Sequence, residues 1–279
     1  MLWGGRSCRE TIKEDQKMNL ETLYIRIGKH SLGFAYQDAQ AGERMIFEPY
    51  SIKAGISMAA NLREVVKLRP DLCSRFSDTV VLIDSKVLLI PEQEFDGEEA
   101  DLLYRHAMQD VDGSVVMYNE IEDLHVVALY AVNKDTRLVV TDHFAAPKFV
   151  PIPQPVWTRL QRHQLESITR RLYAWYHDKQ LEVFCYDKTR FRFCNSFSQV
   201  DSADTIYYVL SAWKQLGMDA VHDELFLLGD MPEQAQTQQN LAEYVAHVHT
   251  LSADELQASS ADQPLKGFPL DLALLINNS

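Results

Sequence analysis

Two stretches of the chain show the same succession of hydrophobic and polar patterns. In the clearer one, residues 172–176 and 181–186 are short aromatic and aliphatic runs parted by His177-Asp178-Lys179-Gln180, which predicts two strands joined by a tight turn. A second turn follows at residues 187–189. Arg190-Phe191-Arg192-Phe193-Cys194 then alternates polar and apolar residues, as a strand with one buried face does. Asp201 or Ser202 is placed to cap a helix carrying Ile206, Val209, Leu210, Trp213 and Leu216 on one face, and Gly217 ends it. A continuous apolar run at residues 225–228 stops at Gly229-Asp230. The predicted order is three antiparallel strands, a helix and one more strand.

The earlier stretch repeats it. Residues 23–27, 31–36 and 45–52 pattern as strands, residues 56–68 as a helix and residues 79–84 as a buried strand. The copies agree in topology and spacing, not in identity. Duplication is the economical reading, with chance likeness of generic α/β segments as its alternative. Between the copies, residues 86–91, 114–118 and 124–132 are further strand candidates, residues 96–108 a helix, and a short helix runs from Asn133 toward Asp142. The proline-rich residues 149–155 predict an extended crossover, and residues 157–168 a helix. After the second copy, residues 235–248 predict one amphipathic helix, residues 250–263 a polar loop, and residues 268–276 an apolar helix or strand. The expected division is a disordered extension over residues 1–19, a first domain over 20–155 with an insertion at about 86–118, and a second domain over 156–279.

Composition narrows the function classes. Of 279 residues, 46% are apolar, enough for well-filled cores, yet no apolar run approaches the roughly 20 residues that span a bilayer. The first twenty residues mix acidic and basic side chains without an apolar block, so a signal peptide is not expected and a cytoplasmic location is. The net charge is −13, and from Met218 onward ten carboxylates face one lysine, which argues against nucleic acid as a partner. Cys8, Cys73, Cys185 and Cys194 show no metal-ligand spacing. Cys185 and Cys194 fall on neighbouring predicted strands, where they can face one another as buried thiols. The histidines form no catalytic or metal motif, and His247-x-His249 reads as a solvated helix end.

Three runs, Cys194-Asn195-Ser196-Phe197, Asp204-Thr205-Ile206-Tyr207-Tyr208-Val209-Leu210 and Leu225-Phe226-Leu227-Leu228-Gly229, resemble a bacterial domain-of-unknown-function family with an actin-like ATPase fold. The doubled strand order resembles the wider superfamily of actin, Hsp70 chaperones and sugar kinases, and more nearly the pilus-assembly protein PilM. The resemblance spans residues 20–279. It implies an α/β protein of duplicated RNase H-like halves, each a mixed five-stranded sheet with helices, and a small inserted subdomain.

In that superfamily each half opens with a strand-turn-strand whose Asp-x-Gly holds metal-bound phosphate through backbone amides. Here the first turn reads Arg26-Ile27-Gly28-Lys29-His30-Ser31, with Gly28 in place but Arg26 where the aspartate belongs. The second, Tyr176-His177-Asp178-Lys179-Gln180, lacks the glycine. Gly229 matches the glycine near adenosine, and Asp230 replaces a second one. The resemblance thus implies a degenerate nucleotide cleft at Gly28, Lys29, Ser31, Asp178 and Gly229, with no catalytic residue and no metal ligand. Plain hairpin turns at residues 28–31 and at Asp178 are the alternative. The expected function is a non-catalytic scaffold or regulatory, partner-binding pseudoenzyme. The alternative is a nucleotide-binding conformational switch or weak ATPase. No cofactor is expected, ATP or ADP being the ligand left open, and the expected partner is a protein.

Overall fold

The computed structural model describes residues 22–38, 44–109, 111–165, 169–187, 190–198, 201–257 and 265–277. The extension expected over residues 1–19 lies outside them, as do Cys8 and residues 258–264 of the expected loop.

The chain builds two five-stranded sheets of the same design. The first half runs β1 (Thr22–Ile27), β2 (Leu32–Asp38), β3 (Arg44–Tyr50), α1 (Met58–Leu68), α2 (Asp71–Ser74) and β4 (Asp78–Ile83). An inserted unit follows, β5 (Val87–Pro91), α3 (Ala100–Ala107), β6 (Ser114–Ile121) and β7 (Val126–Asn133), before α4 (Lys134–His143) and β8 (Pro147–Pro151) return to the first sheet. After α5 (Pro153–Leu165), the second half runs β9 (Arg171–His177), β10 (Gln180–Asp187), β11 (Arg190–Ser198), α6 (Ser202–Gln215), β12 (Glu224–Gly229), α7 (Gln234–Ala242), β13 (His247–Leu251), α8 (Ala253–Gln257) and α9 (Leu270–Asn277). The strand orders are β3-β2-β1-β4-β8 and β11-β10-β9-β12-β13. In both, the first three strands are antiparallel and the last three parallel. The duplication read from hydrophobic pattern is therefore physical.

Local chemistry sets the element ends. Asp201 accepts from the Asp204 amide, whose carboxylate returns to the Asp201 amide, a reciprocal cap at the start of α6. Ser57 caps α1, and Asn133 caps α4 through the amides of Asp135 and Thr136. Gly217, at φ 59°, ends α6 in the left-handed conformation that glycine adopts without a Cβ penalty.

Several expectations change. Residues 149–155 are not a crossover loop. They are the end of β8 and the start of α5, and prolines fit both places because an edge strand spares Pro147 and Pro151 a ladder donor and the first turn of a helix spares Pro153 one. Residues 235–248 do not make one helix: α7 ends at Ala242 and β13 adds the fifth strand beside β12, placing His247 and His249 on a strand. The expected polar loop holds α8, with Ser252 and Glu255 exchanging capping hydrogen bonds. The inserted sheet, ordered β5-β7-β6, extends to Asn133 because β7 pairs with both neighbours. Cys185 and Cys194 do not face each other. Cys194 stands opposite Phe184 in register and Cys185 opposite Phe193, so the thiols lie on opposite faces of the sheet.

One apolar body joins the halves. Tyr24, Leu82, Trp157, Tyr173, Phe184 and Leu272 belong to a single buried cluster, in which α5 and α9 lie between the two sheets. The outer sheet faces pack separately, under α1 and α4 in the first half and under α6 and α7 in the second.

Candidate functional site

The hairpin turn of each half points at the other. In the first half, the turn between β1 and β2 is closed by the Gly28 amide donating to the Ser31 carbonyl at 2.8 Å. In the second, His177 pairs with Gln180 across a two-residue turn in which both Asp178 and Lys179 have positive φ, 44° and 61°. Such a turn favours asparagine or aspartate followed by glycine, so Lys179 in the second place holds it under strain.

What holds Asp178 is Arg26. The end of β1 carries this guanidinium into the space between the halves, where only 4% of the residue is exposed. Its Nη1 donates to Asp178 Oδ2 at 2.7 Å and to Ser31 Oγ at 2.7 Å, and Ser31 Oγ donates to the same carboxylate oxygen at 3.1 Å. On its other side, Nε donates to Asp271 Oδ1 at 2.8 Å and Nη2 to Oδ2 at 2.7 Å, the parallel fork that arginine makes with a carboxylate. Asp271, fully buried in α9, comes from the far end of the chain. Burial opposes the arginine's charge, but Asp271 and then Asp178 outweigh it, and the guanidinium is held even higher than its ordinary range. Burial likewise pushes the Asp178 carboxyl up, and Arg26 more than reverses this, leaving it below the usual carboxylate range.

Of the residues singled out from sequence, Gly28, Ser31 and Asp178 come together at this clamp. A Cβ on Gly28 would lie 2.5 Å from Asp178 Oδ2 and 2.3 Å from Ser31 Oγ, so the bare glycine makes room for a carboxylate of the other half. Gly229 lies on the wall of the same cleft. A Cβ there would sit 1.9 Å from the Tyr176 carbonyl oxygen, and its φ is 82°, so the close approach of β12 to β9 already requires glycine. Lys29 is exposed and lines a separate, smaller cavity beside Asp84 and Ser198. Sequence reasoning missed Asp271. The available signal was a lone carboxylate inside the apolar run Leu270-Asp271-Leu272-Ala273-Leu274, since a buried charge needs a partner.

A second polar bridge runs beside the first. Gln180 Nε2 donates to Asp84 Oδ2 at 2.7 Å, tying the end of β4 to the start of β10. Burial raises the Asp84 carboxyl above its ordinary range, against the lowering effect of that hydrogen bond. His177 stacks on Trp175 at 3.9 Å between ring centroids, and its Nε2 lies 3.9 Å from Glu182. Among the described residues, no group of three or more histidine, cysteine or carboxylate side chains is placed to hold a metal ion.

Around the clamp a cleft of about 1000 Å³ opens between the halves, with Phe47, Tyr50, Trp175 and Phe268 among its walls and Arg26, Asp178 and Asp271 at its polar end. Two of the carboxylates that line the cleft, Asp178 and Asp271, are turned inward onto arginine and offset its charge within the protein.

Comparison with known proteins gives the fold a name. A Bacteroides thetaiotaomicron crystal structure, described as a protein with actin-like ATPase fold and unknown function, superposes with a TM-score of 0.79 at 22% identity, covering 93% of this chain and 96% of that one. The PilM–PilN type IV pilus biogenesis complex is similar at a TM-score of 0.51 and 12% identity, over 84% of this chain and 88% of that one. No curated protein sequence matches. No described helix is long and apolar enough to cross a membrane. The sequence profile of a protein of unknown function, DUF3822, matches residues 11–248, and the chain, two actin-like halves closed on an arginine, belongs to that family.

Proposed function

We infer that this is a cytoplasmic, partner-binding protein in which the actin-like fold works without nucleotide hydrolysis. One observation carries the reading: Arg26 stands where phosphate and metal chemistry would need an acidic residue, and both Asp178 and Asp271 are bonded to it. A triphosphate brought to this turn would meet Asp178 already seated on the guanidinium and the Ser31 hydroxyl. With Asp178 and Asp271 both bonded to arginine, neither is free to hold magnesium or orient water, and phosphoryl transfer at this turn has no anchor. The structural likeness to PilM, seen in complex with PilN, supports a protein as the partner.

The test is turnover. Purified protein with magnesium and millimolar ATP is expected to release no phosphate above a no-protein blank, and ATP or ADP is expected to leave its melting temperature unchanged. Turnover that disappears in Asp178→Ala overturns the reading.

The second reading, a nucleotide-binding switch, draws on the size of the cleft and on its aromatic walls. It requires that a ligand displace Asp178 from Arg26. A ligand present at about 100 times its Kd would add about 2.7 kcal/mol to stability, so a nucleotide-dependent rise in melting temperature without turnover selects this reading over the first.

A further inference from the structure

Away from the cleft, a groove of about 550 Å³ runs between the inserted sheet and the second half. One wall is β5 and the other β11, each the outermost strand of its sheet among the described residues. The groove meets Val87, Leu88 and Leu89 in succession on one side and each residue from Phe191 to Ser196 on the other. Side chains alternate across a strand, so a cavity over a sheet face would meet every second residue. Contact with consecutive residues means that the groove follows the strand edges, where main-chain N–H and C=O groups point outward.

β11 is an open edge by composition as well. It is nine residues long and contains neither proline nor glycine, whereas the β8 edge carries Pro147 and Pro151. A bulge at Arg192 interrupts it, since Tyr186 pairs with Phe191 and Cys185 with Phe193, and regular pairing then continues to Ser198. The groove floor is apolar, with Val87, Leu89 and Phe191 half-buried in the cluster that holds Trp157. Trp157 lines the groove, and its buried indole N–H has no acceptor among the described residues, a state that buried donors seldom keep. The rim carries exposed Lys86 and Arg192 in a chain of net charge −13, while Glu182 of the lining is buried.

We propose that this groove binds an extended segment of a partner protein, acidic and apolar at alternate positions, as an added strand on β11. Main-chain hydrogen bonds to the open edge supply affinity, the apolar floor takes alternate side chains, and the basic rim selects acidic ones. The inference rests on the reading of the protein as a partner binder and gives that partner a place and a chemistry.

The probe is a fluorescein-labelled heptapeptide alternating glutamate or aspartate with valine, isoleucine or leucine, titrated by anisotropy into the full chain. Binding is expected, with slowed amide exchange over residues 193–198. The same peptide methylated at alternate backbone nitrogens is expected to bind at least about tenfold more weakly, because it loses the ladder hydrogen bonds. Lys86→Glu, at an exposed position, is expected to weaken binding at unchanged melting temperature. Absence of binding, equal binding of the methylated peptide, or exchange protection confined to the cleft each overturns the groove. Binding that appears only after deletion of residues 1–21 also overturns it, by making the chain's own segment the occupant. These outcomes are separable from those of the turnover test: ATP hydrolysis sinks the non-catalytic reading whatever the peptide does, and a silent groove beside absent hydrolysis leaves that reading standing.

Discussion

Replacing Asp271 by alanine is expected to cost more than any surface change in the molecule. The carboxylate is fully buried and receives donors from two guanidinium nitrogens, at 2.7 and 2.8 Å. Removing it leaves Arg26, itself 4% exposed, with Asp178 as its remaining counter-charge and with Nε and Nη2 stripped of their carboxylate. Stripping one partner from a buried pair costs about 3–5 kcal/mol, a large share of the roughly 5–15 kcal/mol that holds a typical protein folded. For a chain of this size the loss corresponds to a fall of roughly 6–20 °C in melting temperature. Urea denaturation of wild type and variant measures it, run at low salt and in about 1 M NaCl, where exposed pairs are screened and buried ones are not. Arg105→Ala is the control, because its i,i+4 pair with Asp101 lies on the surface of α3, where water and salt screen it. A loss below about 1 kcal/mol for Asp271→Ala, or a loss that vanishes at high salt, would show that Arg26 finds solvent or another partner and would refute the clamp.

Three further outcomes follow from the same geometry. Lys179→Gly is expected to stabilise by about 0.5–1 kcal/mol, because glycine adopts the positive φ of this turn without strain; a destabilised variant in urea would contradict that. Gly229→Ala is expected to destabilise by at least about 2 kcal/mol with no nucleotide present, since its Cβ would strike the Tyr176 carbonyl; a loss seen only as weaker nucleotide binding would assign the glycine to a ligand instead. Asp84 has a raised folded-state pKa, so its contribution is favourable at low pH and is lost as pH rises through that value. Asp84→Asn, which keeps an acceptor for Gln180, should therefore raise the melting temperature at pH 7.5 and matter little near pH 3.5, and the reverse order would overturn the assignment.

The sequence carried the doubled strand order because each half obeys local rules that periodicity exposes: alternation in β11, a capped helix face in α6, and a glycine at position 217. Arg26 at the first turn was equally visible, as were Gly28, Ser31 and Asp178, which the structure gathers around it. The partner of Arg26 was not, because Asp271 lies in a helix whose pattern is merely apolar and whose place in space depends on the whole fold. The edge strands were lost for another reason. β13 is five residues long with three of them exposed, so its alternation merged with the preceding helix, and β8 holds two prolines that mimic a linker.

The clamp also imposes an order on biosynthesis. Arg26 and Asp271 are separated by 245 positions, so at about 5–20 residues per second a ribosome takes roughly 12–50 s to deliver the second after the first. During that interval the first sheet can assemble around an arginine paired at most with Asp178, 152 positions on, and the emerging half is held open at the place where it will later close. A helix made 245 positions later is thus the one that licenses the first strand to be buried.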